Sequence, residues 1–236
     1  MKQKWLTIVC FVACAGLMVL AVKLDGMFLL LSFAMIAVCA LPFLVRFEGR
    51  QVQTEEVVLV GVLAAVAAVS RVPFGAIPSV QPTSFVIMAS ALVLGGESGF
   101  MIGAVAAVAS NLFLGQGPWT PWQMFLWGMM GYVTGLLRDT WLLRRKIPQM
   151  IYAFAWGLVF GWMMNLWYLA ELDGASFGVG FIASCITSFP MDAAHGVCNV
   201  LLLAVCGGTW QKILGRAAYK YGLAAPPKDN RTVKKL

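Results

Sequence analysis

Charge is what this sequence lacks most. Of its 236 residues only 11% are Asp, Glu, Lys or Arg, against 61% hydrophobic, and the mean hydropathy is +0.83. A soluble domain carries roughly 25% charged residues, and so much apolar surface cannot be hidden inside a soluble body of this size. Disorder, a disulfide-stapled secreted scaffold and a cytosolic enzyme are excluded together. Histidine is almost missing as well: His195 is the only one. No HExxH occurs, and with one histidine in the chain hydrolase or metalloprotease chemistry has no partners to work with. No GxxxxGK[ST] loop occurs either, so this chain has no phosphate cradle for ATP. The cysteines (Cys10, Cys14, Cys39, Cys185, Cys198 and Cys206) form no CxxC and lie within apolar segments. They read as small hydrophobes, not as a zinc site. A proton pump needs a chain of buried acids, and only Asp192, with Glu97 near one end of a span, is on offer.

What the sequence does have is a succession of apolar runs. They cover residues 5–22, 27–45, 57–72, 83–95, 99–115, 121–137, 149–169 and about 181–206. A bilayer core takes about 20 residues of helix, so the expected fold class is an all-α, polytopic membrane bundle. The third and fourth runs are short and flank Pro73-Phe74-Gly75-Ala76-Ile77-Pro78-Ser79-Val80-Gln81-Pro82. Its prolines forbid a continuing helix, and short spans are tolerated where they line a protein-enclosed cavity.

The net charge of +7 sits between the runs, which argues against a nucleic-acid face. With the N-terminus inside, every one of the 17 Lys and Arg residues falls on one side except Lys23 and Arg71. The positive-inside rule therefore places both termini in the cytoplasm and residues 73–82, 116–120 and 170–180 outside. Lys2 and Lys4 before an apolar run also fit a signal peptide. The run is about 18 residues, longer than the roughly 7–15 of an h-region, so an uncleaved helix is expected.

Polar residues inside spans are expensive and face the bundle interior. Here they gather in the outer half. Arg71 ends the third span, Gln81 begins the fourth, Asn111 lies near the outer end of the fifth, and Asn165 near that of the seventh. The loop Gln116-Gly117-Pro118-Trp119-Thr120-Pro121-Trp122-Gln123 leads into the sixth span with two tryptophans. Trp119 and Trp122 fit a shaped loop over a cavity as well as an interfacial aromatic belt. Asp192 and His195 stand three apart on one helix face, continued by Asn199. Two readings of that pair stay open, a hydrogen-bonded brace within the bundle and a ligand contact. Small residues recur at spacing four, as Gly61/Ala65, Ala64/Ala68, Gly103/Ala107 and Ala106/Ser110, which lets backbones approach closely.

Several stretches taken in order resemble a known family. They are Leu63-Ala64-Ala65-Val66-Ala67-Ala68, the proline-bearing outer loop, Gly95-Gly96-Glu97-Ser98-Gly99, the run from Asn111 to Met124, and Phe189-Pro190-Met191-Asp192-Ala193-Ala194-His195-Gly196-Val197-Cys198-Asn199. From about residue 55 to 206 the chain resembles the substrate-binding S component of an energy-coupling factor (ECF) vitamin transporter of bacterial cell membranes.

That resemblance implies a six-helix core over residues 51–210, preceded by an extra pair of helices within 1–50 and followed by a basic tail, 211–236. It implies capture of a vitamin from outside and docking on a shared transmembrane subunit driven by two cytoplasmic ATPases. ATP is then used by the partners, and this chain holds no cofactor or metal and is no enzyme. Ala64 and Ala68 match the family's AxxxA docking motif, and residues 72–81 its substrate-covering loop. The Gly-Pro-Trp-Thr-Pro-Trp run resembles members assigned to cobalamin or related corrinoids. A smaller vitamin such as pantothenate, or a queuosine precursor, suits Arg71, Gln81, Asn111, Gln116, Trp119, Trp122, Gln123, Asn165, Asp192 and His195 almost as well. A stand-alone secondary transporter and a membrane enzyme using Asp192 and His195 are the rival classes.

Overall fold

The computed structural model describes residues 2–23, 27, 30–31, 33–38, 41, 54–171 and 177–223. Nearly half of the expected second span, Cys39 included, the loop at 172–176 and the tail from 224 lie outside the described residues. The described regular structure is helical throughout. Helix α1 spans Lys2–Lys23. The core follows as α2 (Thr54–Arg71), α3 (Pro82–Leu94), α4 (Gly96–Leu114), α5 (Trp119–Leu137), the single turn α6 (Trp141–Arg144), α7 (Lys146–Glu171) and α8 (Phe177–Leu202). A π-turn, Leu203–Gly207, joins α8 to α9, Gly208–Lys220.

Four stretches are long and apolar enough to cross a membrane: Thr54–Phe74, Gly96–Leu114, Lys146–Leu169 and Val179–Lys220. The chain is a multi-pass membrane protein. Its shortest core helix shows how one body accommodates a short apolar run. With 13 residues, α3 is about 20 Å long at 1.5 Å per residue, well under a hydrocarbon core of about 30 Å. Its residues from Pro82 to Ala91 are all buried. It packs against α2, α4, α5, α8 and α9, which cover what a longer span would give to lipid.

The antiparallel pairs α4–α5 and α7–α8 make the most extensive contacts, and glycine sets their distance. A Cβ on Gly99 would come 2.8 Å from the Gly131 carbonyl, and one on Gly96 2.8 Å from that of Tyr132. Gly103 lies against the Trp127 backbone and Gly157 against that of Gly196. Close backbone approach of this kind replaces the hydrophobic drive that helices lose in lipid. Gly95 (φ 98°) and Gly115 (φ 107°) end α3 and α4 in backbone conformations that side chains disfavour, so the chain reverses there within one or two residues. Helix α1 packs on α5, with Phe11 tilted against Phe100 and edge-on to Tyr132.

One end of the bundle carries residues 72–81 and 115–118, the loop end. The opposite end carries Arg138, Arg144, Lys146 and Lys212 and is the basic end. Helix continues to Lys220, inside the segment expected as tail. Trp210 of α9 lies edge-on to Phe85, and Leu214 and Ala218 are buried.

Candidate functional site

Arg71 organises the loop end. It is the last residue of α2, where Val72-Pro73-Phe74 tightens the chain into a 3-10 turn and aims the guanidinium across the bundle. Its Nη1 donates to Asn111 Oδ1 at 2.6 Å and to Ser110 Oγ at 2.9 Å, both on α4. Its Cζ stands 4.9 Å above the Trp127 ring of α5, a cation–π contact. The polar residues foreseen near the outer ends of two spans thus meet on one cation.

Asn111 extends the network. Its Nδ2 donates to Gln123 Oε1 at 2.7 Å and to Thr120 Oγ1 at 3.0 Å. Thr120 donates to Gln116 Oε1 at 2.9 Å, and Gln116 Nε2 donates to the Val108 carbonyl at 3.0 Å. The loop between α4 and α5 is thereby fastened to the helix it leaves. Gly117 has no side chain because the Trp119 ring lies against its backbone, and Trp119 meets Trp167 of α7 edge-on at 5.7 Å.

A second branch runs from Trp127, whose Nε1 donates to Ser84 Oγ at 3.0 Å. Ser84 lies 2.7 Å from His195 Nε2, so the hydroxyl that accepts from the indole can donate to the imidazole. Phe160 stacks on Trp127 at 4.9 Å and meets His195 edge-on at 5.3 Å.

Asp192 and His195, adjacent on one face, take different partners. Asp192 accepts from Ser188 Oγ at 2.7 Å, and Ser188 accepts from Asn165 Nδ2 at 3.0 Å. The carboxylate occupies the space a side chain at Gly161 of α7 would need, whereas His195 reaches Ser84 of α3 and lies edge-on to Phe160 of α7. Asn199 also turns to α7, donating to the Ala153 carbonyl at 3.1 Å.

Several polar atoms at this end are buried without a partner among the described residues: Arg71 Nε, Gln81 Oε1, Trp122 Nε1 and Trp167 Nε1. Buried polar groups are almost always paired, and their concentration beside one network marks a place for polar ligand atoms. Arg71 and Gln81 also line a cavity of about 200 Å³ under the loop, walled by Phe74, Ile77, Pro78, Val80 and Leu114.

Of the residues expected at the site, Arg71, Asn111, Gln116 and Gln123 form one network, and His195 reaches it through Ser84 and Trp127. Gln81 stands beside Arg71, while Trp119 packs beside Trp167. Asn165 and Asp192 form a separate group between α7 and α8. Ser84, Ser110, Thr120, Trp127, Phe160 and Ser188 complete these groups and were not foreseen. Ala64 and Ala68, expected to meet a partner, are 1% and 3% exposed and face α3 and α4, because that side of α2 fills the core. The small residues exposed on α2 are Gly61 and Ala65.

Among the described residues no group of His, Cys, Asp and Glu could hold a metal ion. A family model described as "ECF-type riboflavin transporter, S component" matches residues 51–208. It supports the S-component resemblance and gives the corrinoid subgroup no support. No curated protein and no solved structure matches the chain.

Proposed function

The chain belongs to the family of ECF-type riboflavin transporter S components, and we propose that its loop-end site captures a flavin from outside the cell. It is a substrate-specific subunit of an ECF transporter, and that membership implies transport in place of catalysis. The observation that carries the flavin reading is the set of buried polar atoms at the loop end with no partner among the described residues, Arg71 Nε and Gln81 Oε1 at the cavity and the indole N–H groups of Trp122 and Trp167. An isoalloxazine is a flat tricycle with one hydrocarbon edge and one edge of alternating N–H and C=O groups. Donors at Arg71 Nε, Trp122 and Trp167 and an acceptor at Gln81 are complementary to such an edge, and indole faces to the rings.

Size argues in the same direction. The cavity of about 200 Å³ is below the roughly 300–1,000 Å³ of small-molecule sites, so residues 72–81 must shift to admit a ligand. A three-ring flavin needs a modest shift; a corrinoid macrocycle, several times larger in area, needs the helices themselves to part.

Transport then requires the family's other subunits, a shared membrane protein and ATPases, since this chain has no phosphate-binding loop for ATP. We place the loop end outside and both termini in the cytoplasm from the distribution of Lys and Arg. The surface offered to the shared subunit is the exposed side of α2, with Gly61 and Ala65 allowing close helix approach.

Riboflavin titrated into the purified protein in detergent tests the substrate. Stacking on tryptophan quenches flavin fluorescence, so saturable quenching at one flavin per chain is expected, with cobalamin and pantothenate failing to compete. A preparation that ignores riboflavin, or from which cobalamin displaces it, overturns the flavin reading.

A further inference from the structure

At the basic end, a cavity of about 540 Å³ opens between the end of α5, the start of α7, the π-turn and α9. It is remote from the loop-end site and no part of flavin capture uses it. Its lining is of two kinds. Arg138, Arg144, Lys146 and Lys212 supply cations, with Gln149, Thr209 and Gln211 as neutral polar groups; Leu92, Leu143, Met150, Leu203 and Val205 supply an apolar wall.

Among the described residues, Asp139 is an acid that pairs with two of these cations. It accepts from Arg144 Nη2 at 2.8 Å and lies 3.5 Å from Arg138 Nε. The Arg144 hydrogen bond holds its carboxyl below the usual carboxylate range. Arg138 is held further by donating to the Val93 carbonyl at 3.1 Å. One carboxylate thus steadies two guanidiniums, while Lys146 and Lys212 have no carboxylate partner among the described residues. Fixed cations beside an apolar wall fit an anion that carries hydrocarbon. The surroundings are those of a bilayer surface. Trp141, in the turn beside Arg144, is 68% exposed, and Ile147 is 73% exposed, as suits an indole at the headgroup level and an aliphatic chain in lipid.

We propose that this cavity binds the phosphodiester headgroup of an anionic phospholipid of the leaflet at the basic end, with an acyl chain along Leu143, Met150 and Val205. Basic pockets between membrane helices on the cytoplasmic side take such headgroups, and that leaflet is the negatively charged one. A lipid seated there braces the α5–α7 connection against α9, elements with few direct contacts of their own.

The test uses the full chain reconstituted in bilayer nanodiscs of phosphatidylcholine containing phosphatidylglycerol, with lipids retained after detergent extraction counted by native mass spectrometry. The wild-type chain is expected to retain phosphatidylglycerol over phosphatidylcholine. The double variant Lys146→Gln/Lys212→Gln is expected to bind it about thirtyfold more weakly, each lysine near an anionic surface contributing about a fivefold factor. Arg145→Gln, a change outside the lining, is expected to retain it fully. Size-exclusion profile and thermal melting confirm that the variants are folded. Equal retention of both lipids, or undiminished retention by the double variant, overturns the proposal. So does displacement of the lipid by millimolar inorganic phosphate, which would make this a site for free phosphate.

Discussion

Replacing Arg71 by lysine is the sharpest perturbation of the loop-end site, because it keeps the charge and removes the geometry. The guanidinium does three things at once. It donates to Asn111 and to Ser110, and its Cζ stands 4.9 Å over the Trp127 ring. An ammonium on a flexible stem is a compact point charge with no plane to stack. It can keep one acceptor and lose the other. A hydrogen bond to a charged group contributes about 1.5–3 kcal/mol, and a partly desolvated cation–π contact about 0.5–2 kcal/mol. Lysine retains part of the second term, so the expected loss of stability is about 2–4 kcal/mol. Arg71→Met removes the charge and leaves Asn111 Oδ1 without its donor. It also relieves the cost of burying a cation, so its loss is expected to be smaller than the count of broken bonds suggests.

Two measurements on the same preparations separate bracing from binding. Denaturant unfolding followed by tryptophan fluorescence gives the stability change, and riboflavin quenching gives the affinity change. If the same geometry presents Arg71 Nε to the ligand, Arg71→Lys weakens binding roughly 10- to 100-fold, at 1.4 kcal/mol per factor of ten. A lysine variant as stable and as tight-binding as the parent refutes the reasoning. One that is destabilised yet binds riboflavin normally refutes the place of Arg71 in the site and leaves it a brace.

Three further outcomes follow. Ser84→Ala strands the Trp127 indole N–H and His195 Nε2 in the core, and is expected to lower stability by about 1–3 kcal/mol; an unchanged unfolding midpoint would remove this branch from the network. Gly161→Ala drives a methyl group into the Asp192 carboxylate and should cost about 1–3 kcal/mol. Combined with Asp192→Ala that cost should shrink, whereas strictly additive effects would mean the two do not touch. Gly61→Trp, on the exposed side of α2, should abolish vitamin uptake in cells while the purified protein still binds its ligand. Ala64→Trp, in the core, should destroy the fold and with it the binding.

How far the helices were legible follows from what hydropathy measures. Apolar runs mark contact with lipid or core, and a helix can extend beyond them. Helix α2 begins at Thr54 and takes in Glu55 and Glu56 before the run expected from 57. Helix α4 begins at Gly96 with Glu97 and Ser98 ahead of the run from 99. Acidic residues favour a helix N-terminus, so these polar starts are helical although they look like loop. Helix α9 was missed altogether. Residues 208–210 read as the end of the core and Gln211 onward as tail, and only burial of Leu214 and Ala218 on one side shows that the bundle uses this helix.

At the site, Arg71, Asn111, Gln116 and Gln123 stood out because a cation or an amide in an apolar setting must find a partner. Ser84, Ser110 and Ser188 did not, since a hydroxyl can satisfy itself on its own helix, as Ser110 does on the Ala107 carbonyl. The Asp192/His195 spacing was read correctly as one face and still concealed the outcome. At 100° per residue, positions three apart diverge by about 60°, enough to send one side chain to α7 and the other to α3. The same 60° separates Gly61/Ala65 from Ala64/Ala68. In a soluble protein, hydrophobicity would have told the inner pair from the outer. In a bilayer the core and the lipid are equally apolar, so two small-residue stripes on one helix carry the same signal. Only the packing of α3 and α4 against Ala64 and Ala68 decides which stripe is left for a partner.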